Sequence, residues 1–143
     1  MDAILNIPIK DLMTKDVVTL SVKDPFSAVY EKMNNHKIRH LPIVNDRNEV
    51  VGIITERDLF RAHSPRKVED EFVYDAAELD TLILQHFMTR DPVTLTPEHT
   101  LRDALGLLVR HKYGCIPIID KNTKKIAGII SHSDILKFFY ERI

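Results

Sequence analysis

Apolar positions along this 143-residue chain fall into short blocks whose order is used twice. In the first copy Phe26, Val29, Tyr30 and Met33 recur at i, i+3, i+4 and i+7, the single stripe of an amphipathic helix. Asp24-Pro25 supplies an N-cap and a first helical residue whose missing N–H costs nothing. Asn34-Asn35-His36-Lys37 predicts the end, with cations suited to the negative pole of the helix dipole. Leu101, Ala104, Leu105 and Leu108 form the equivalent stripe, ending at His111-Lys112. Two apolar runs follow each helix, 41–44 and 50–54, then 116–119 and 126–130. Apolar on both faces, they predict buried strands, with hairpin loops at 45–49 and 120–125. Pro42 and Pro117 cannot donate to a ladder and are expected at a strand start or edge. Leading strands at 17–20 and 93–95, and second helices at 56–62 and 132–141, complete each copy. The predicted class is α/β (α+β), with strand, helix, strand, strand, helix in each repeat.

The duplication extends to the residues themselves. Met13-Thr14-Lys15-Asp16-Val17-Val18-Thr19-Leu20 returns as Met88-Thr89-Arg90-Asp91-Pro92-Val93-Thr94-Leu95. Leu41-Pro42-Ile43 returns as Ile116-Pro117-Ile118, and Gly52-Ile53-Ile54-Thr55-Glu56-Arg57-Asp58 as Gly128-Ile129-Ile130-Ser131-His132-Ser133-Asp134. A period of about 75 residues exceeds the roughly 20–50 of solenoid repeats and indicates a duplicated subdomain. The expected division is 7–63 for the first repeat, 64–80 for an acidic linker around Glu69-Asp70-Glu71, and 81–143 for the second. A helical turn is expected at 76–78. Each copy, at roughly 60 residues, buries too little surface to stand alone, so the halves are expected to share a core as one module. The tail 135–140 is apolar on more than one face and is expected to pack on the first copy or on another subunit.

Composition narrows the function classes. With 20 basic and 21 acidic residues, the chain carries no electrostatic footprint for nucleic acid or an anionic membrane. One cysteine excludes an internal disulfide and fits a reducing compartment. No leader-like start and no apolar run near the ~20 residues of a membrane span are present, so a cytoplasmic location is expected. Four glycines cannot supply a phosphate loop or a dinucleotide signature. His36 and His40 straddle a predicted helix end, and no Cys or carboxylate pattern completes a zinc site. Cys115 has no triad around it and reads as a buried inert thiol. No nucleophile–base pair or metal constellation can be assembled, so no enzyme, cofactor or metal is expected.

The repeated Met-Thr-x-x-x-Val-Thr-Leu start, the Pro-containing strand and the Gly-hydrophobic-Ile-Thr/Ser-x-x-Asp end together resemble the cystathionine β-synthase (CBS) domain family, as a tandem pair spanning residues 7–143. Stand-alone bacterial and archaeal pairs, including acetoin-utilisation-type proteins, look most similar. The resemblance implies a pseudo-twofold pair with clefts for adenosine-containing ligands, a regulatory role, a homodimer and a separately encoded protein partner.

The candidate site residues follow from both readings. Thr55 to Asp58 and Ser131 to Asp134 each form a capping box, which alone can explain the pattern. The resemblance implies that Asp58 and Asp134 also hold ribose hydroxyls, with Thr55 or Ser131 on ribose or phosphate. A carboxylate accepting two vicinal hydroxyls makes charge-assisted bonds. Arg39, His40 and Arg57 are expected on phosphates, a task that suits the bidentate guanidinium. In the second copy Gly114, Cys115 and Ser133 replace these cations, so that cleft is expected to bind a less charged nucleoside, bind weakly or stay empty. For an adenine slot the candidates are Val17, Val18, Ile38 and Pro42 in the first copy and Pro92, Val93, Tyr113 and Pro117 in the second. Asp16, beside Val17, is a further candidate. AMP, ADP or ATP is the expected ligand; S-adenosylmethionine, an NAD-type ligand, or a ligand-free interaction module are the alternatives.

Overall fold

The structure is a computed structural model that describes residues 1–111 and 113–143; Lys112, read from sequence at the end of the second long helix, lies outside them. In chain order the elements are α1 (Asp2–Leu5), a 3₁₀ turn (Ile9–Asp11), β1 (Leu20–Ser21), α2 (Ser27–His36), β2 (His40–Val44), β3 (Val50–Thr55), α3 (Glu56–Ala62), β4 (Arg66–Val68) and β5 (Glu71–Val73). There follow α4 (Ala76–Leu79), a second 3₁₀ turn (Leu84–His86), β6 (Thr89–Arg90), α5 (Leu101–Arg110), β7 (Cys115–Ile119), β8 (Ile126–Ser131) and α6 (His132–Tyr140). The α/β class and the repeated helix, strand, strand, helix order agree with the hydrophobic pattern. The leading strands are shorter than predicted. Of 17–20 only Leu20 enters β1, and 93–95 reduces to one parallel bridge between Leu95 and Ile118.

Two compact units form. The first-repeat unit comprises Val18–Arg47 and Val51–Asp91; the second-repeat unit comprises Met1–Val17, Asn48–Val50 and Pro92–Ile143. The lead-in of each copy is therefore exchanged relative to the repeats read from sequence, residues 7–17 lying with the second copy and 81–91 with the first. Each unit has a cluster of buried apolar residues. Leu20, Phe26, Val29, Leu41, Ile43, Ile54 and Leu59 are joined by Leu79 and Leu84. Leu101, Ala104, Leu108, Ile116, Ile118, Ile130, Ile135 and Phe138 are joined by Ile9 and Leu12. The exchange gives each small repeat the extra apolar burial that its own residues lack.

In the first-repeat unit the strands lie in the order β1-β2-β3-β6. β1 runs parallel to β2, with Leu20 opposite Ile43, and β6 antiparallel to β3, with Arg90 opposite Gly52. Pro42 is thus inside a central strand, not at a start or edge. β1 pairs with β2 at Ile43 and Val44, a register that asks no N–H of Pro42 toward β1. Pro117 likewise lies inside β7, opposite Ile129, and contributes only its carbonyl, which accepts from Leu95 N–H at 3.2 Å.

Asp24 is not the cap of α2. Its Oδ2 accepts the Ser21 N–H at 2.9 Å, and the helix begins at Ser27, whose N–H donates to Asp80 Oδ1 at 2.8 Å. The cap comes from a residue 53 positions away, out of reach of a local reading. At the other end Lys37 adopts the left-handed conformation (φ 55°) and Ile38 N–H donates to Met33 O at 3.1 Å, which closes the helix. The acidic segment is more than a connector. β4 and β5 pair as a hairpin whose turn residues, Glu69 and Asp70, both have positive φ, and α4, at the predicted helical turn, delivers Leu79 to the core. In α6, Ile135 and Phe138 pack in the core of the second-repeat unit, while Leu136 and Tyr140 stay 70% and 78% exposed.

Candidate functional site

The repeated Met-Thr and the repeated glycine belong to one local construction. Thr14 and Ile129 exchange backbone hydrogen bonds, each 2.9 Å, so the lead-in crosses β8 beside Gly128. A Cβ on Gly128 would stand 2.6 Å from Met13 Sδ and 2.8 Å from the Thr14 carbonyl oxygen. In the other unit a Cβ on Gly52 would stand 2.7 Å from Met88 Sδ and 3.1 Å from the Thr89 carbonyl oxygen. Each glycine lets a lead-in pass over its strand just before the helix that carries the candidate carboxylate.

Those carboxylates first serve their helices. Thr55 Oγ1 accepts the Asp58 N–H at 3.2 Å while Asp58 Oδ2 accepts the Thr55 N–H at 2.9 Å, a reciprocal cap on α3. Ser131 and Asp134 do the same for α6. Thr100 and Asp103 repeat the arrangement on α5, where no ligand role is expected. Capping therefore accounts for the Thr/Ser-x-x-Asp spacing by itself, and any ligand chemistry rests on the second oxygen. Here the copies part. Among the described residues Asp58 Oδ1 receives only the guanidinium of Arg61, at 3.3 Å, whose side chain is 69% exposed against 16% for Asp58. Asp134 Oδ1 accepts the hydroxyl of Thr14 at 2.9 Å.

The two copies also differ in the residues at the junction between the second strand of each hairpin and the helix that follows. Glu56 N–H donates to Arg39 O at 2.9 Å, so Arg39 is tied to the first residue of α3, next to Arg57. Both side chains are exposed, and neither forms an ion pair among the described residues. His40 opens β2 half-buried. In the second-repeat unit the same tie runs from His132 N–H to Gly114 O at 3.4 Å, with exposed Ser133 at the position of Arg57. Cys115, at the position of His40, is buried. Burial first, and the charge of Asp134 second, push its thiol from 9.0 up to about 12. The folded form holds this proton more tightly, so its contribution to stability is complete below pH 9.0 and declines as pH rises toward about 12. Urea-unfolding midpoints should fall across that interval in the wild type and fall less in Cys115→Ala.

The apolar candidates divide differently from expectation. Val18 and Ile38 are half-buried against the first-repeat core, and Pro42 is buried. Asp16 and Val17, read as first-copy residues, lie in the second-repeat unit because the lead-ins are exchanged. Asp91, the counterpart of Asp16, lies in the first-repeat unit instead, beside Arg90, the exposed counterpart of Lys15, which stands opposite Gly52. Sequence reasoning missed Arg90 because the motif shows that the lead-in recurs, not which copy receives it. Pro92, Val93, Tyr113, Gly114, Cys115, Pro117, Ser131, Ser133 and Asp134 all fall in the second-repeat unit. Tyr113 stacks on His111, with ring centroids 5.5 Å apart.

A duplicated α/β pair with exchanged lead-ins and a capped helix after each hairpin is a recognisable class of two-repeat module. Residues 9–64 and 84–141 match the profile of the CBS domain, and the chain belongs to that family, with two repeats. Protein MJ1225 of Methanocaldococcus jannaschii is 29% identical over 135 residues, 94% of this chain and 44% of MJ1225, so the chain spans less than half of that relative. The CBS domain pair of protein MJ0100, solved with 5'-methylthioadenosine and S-adenosyl-L-methionine, superposes with a TM-score of 0.77 at 21% identity, covering 95% of this chain and 98% of that one. CBSX2, solved with AMP, superposes with a TM-score of 0.76 at 20% identity over 95% and 98%. At these identities the two solved pairs establish the fold. Among the described residues no helix is long and apolar enough to cross a membrane.

Proposed function

We propose that this chain is a regulatory module without catalysis of its own that binds an adenine nucleotide, AMP, ADP or ATP, on its first-repeat unit. Asp58 Oδ1 accepts a ribose hydroxyl, with the Thr55 side chain beside it, and Arg39, Arg57 and His40 face the phosphates. The observation that carries this reading is the state of the two carboxylates. Among the described residues Asp58 Oδ1 is met by one exposed guanidinium and lies in the unit that carries Arg39 and Arg57, which form no ion pair there, whereas Asp134 Oδ1 already accepts the Thr14 hydroxyl. Because Oδ2 serves the cap, Oδ1 is the oxygen offered to the ribose. That MJ0100 and CBSX2 hold adenosine-containing ligands supports the ligand class.

Regulation requires that the ligand favour one of two states of the chain, so the response is read as stability. A thermal-shift series with AMP, ATP, S-adenosylmethionine and NAD should show AMP or ATP stabilising, by about 2.7 kcal/mol at a hundred times Kd. Asp58→Ala should abolish the response. Asp103→Ala, which removes the same kind of cap from α5, should lower the melting temperature yet keep the full ligand shift. Loss of the shift in both variants would reduce Asp58 to a structural role. No shift with any of the four ligands would favour a second reading, an interaction module. Its support is Phe60 of α3, 55% exposed, and its repeat counterpart Leu136 of α6, which present apolar surface to a second copy or a separate protein partner. In either case the expected location is cytoplasmic.

A further inference from the structure

We infer that Thr14 acts as a built-in substitute for a ligand hydroxyl, closing the carboxylate of Asp134 so that the second-repeat unit is held unliganded. This rests on the reading above that the free oxygen of such an aspartate is what a ribose binds. Both carboxylate oxygens of Asp134 already accept hydrogen bonds. Its Oδ2 takes the Ser131 N–H at 2.8 Å and the Ser131 hydroxyl at 3.1 Å, and its Oδ1 takes the Thr14 hydroxyl at 2.9 Å. The donor is exposed, but its backbone is held in place. Thr14 is pinned by its backbone N–H to Ile129 O and by its carbonyl to Ile129 N–H, both at 2.9 Å, with Gly128 leaving room for the chain to sit there. A ligand hydroxyl that takes the position of the Thr14 hydroxyl must therefore break a charge-assisted bond and turn the Thr14 side chain, the backbone staying in place.

The other unit has the same residue types and not the same contact. Thr89 lies opposite Ile53 as Thr14 lies opposite Ile129, yet among the described residues no hydrogen bond joins the Thr89 hydroxyl to Asp58, whose Oδ1 is drawn to Arg61. The counterpart of Arg61 is Lys137, which leans toward Glu141 at 4.0 Å and leaves Asp134 to Thr14. A one-residue difference on the neighbouring helix turn thus decides which carboxylate is open. The asymmetry adds to the missing cations: the second-repeat unit lacks phosphate ligands and also keeps its ribose acceptor occupied.

Thr14→Val keeps the shape and the β-branched backbone preference while removing the donor. Two measurements separate the possible failures. The first uses no ligand: a double-mutant cycle of Thr14→Val and Asp134→Ala, read as melting temperature. Non-additive shifts are expected; additive shifts would overturn the inference whatever nucleotides do. The second titrates AMP by calorimetry into Asp58→Ala, which isolates the second-repeat unit, with and without Thr14→Val. Thr14→Val should raise affinity there roughly tenfold, the weight of a hydrogen bond to a charged group. A coupled cycle with unchanged AMP affinity would show that the bond exists and does not close the site, which also overturns the inference. If wild type and every variant fail to bind AMP while the cycle is coupled, the nucleotide reading fails, and the inference with it.

Discussion

Leu79→Ala should lower the unfolding free energy by about 3 kcal/mol, in the range for truncating a fully buried leucine. Leu79 is 0% exposed and packs in the cluster of Phe26, Val29 and Leu84, although it comes from the acidic stretch that sequence alone reads as a linker. It does not act alone. Tyr74 meets Tyr30 with ring centroids 5.1 Å apart, and Phe87 meets Phe26 edge-on at 5.6 Å. Asp80, next to Leu79, caps α2. The stretch after the β4–β5 hairpin thus supplies one wall of the first-repeat core. The hairpin supplies none of it: Val68 and Phe72 are exposed, and Phe72→Ala should change stability by about 0.5 kcal/mol or less. Urea unfolding of the two variants side by side checks this. Equal, small effects would mean that 74–88 is a tether and that the core closes without it.

What the sequence could and could not say follows from the range of the interactions. Periodicity is local, so α3 appears at 56–62 as predicted, and the buried positions of α5 are the predicted Leu101, Ala104 and Leu108. The β2–β3 and β7–β8 runs agree to within a residue because an apolar block flanked by polar loops needs no partner to be recognised. Where partners decide, the reading failed. Asp24 looked like a cap because nothing in the local sequence announces Asp80. Pro42 looked like an edge residue because sequence does not reveal how few residues of β1 reach β2. The exchange of lead-ins is the largest case. A perfect repeat is compatible with either connection, and it moved Asp16 and Val17 out of the unit that holds Thr55 and Asp58. The asymmetry in cations was legible, since it is a matter of residue types; the asymmetry in the carboxylates was not, because it depends on where Thr14 sits.

Gly128→Ala should cost about 2 kcal/mol, and Gly52→Ala less than half of that. Neither glycine has a positive φ, so the backbone at both positions accepts alanine and the added methyl is opposed only by its neighbours. At Gly128 the neighbours are Met13 Sδ at 2.6 Å and, at 2.8 Å, the carbonyl oxygen of Thr14, which is fixed by its bond to Ile129. At Gly52 the main obstacle is Met88 Sδ at 2.7 Å, the end of a flexible side chain, with the Thr89 carbonyl oxygen further away at 3.1 Å. A methionine sulfur can rotate aside, whereas a carbonyl held in a backbone pair moves only with its chain, and overpacking of that kind costs about 1–3 kcal/mol. Adding Met88→Ala should therefore rescue Gly52→Ala, while Met13→Ala should rescue Gly128→Ala only in part. Displacing the lead-in also carries the Thr14 hydroxyl away from Asp134, so Gly128→Ala should weaken the Thr14–Asp134 coupling without altering either residue. Undiminished stability together with undiminished coupling in Gly128→Ala would mean that the lead-in does not cross β8 at this glycine.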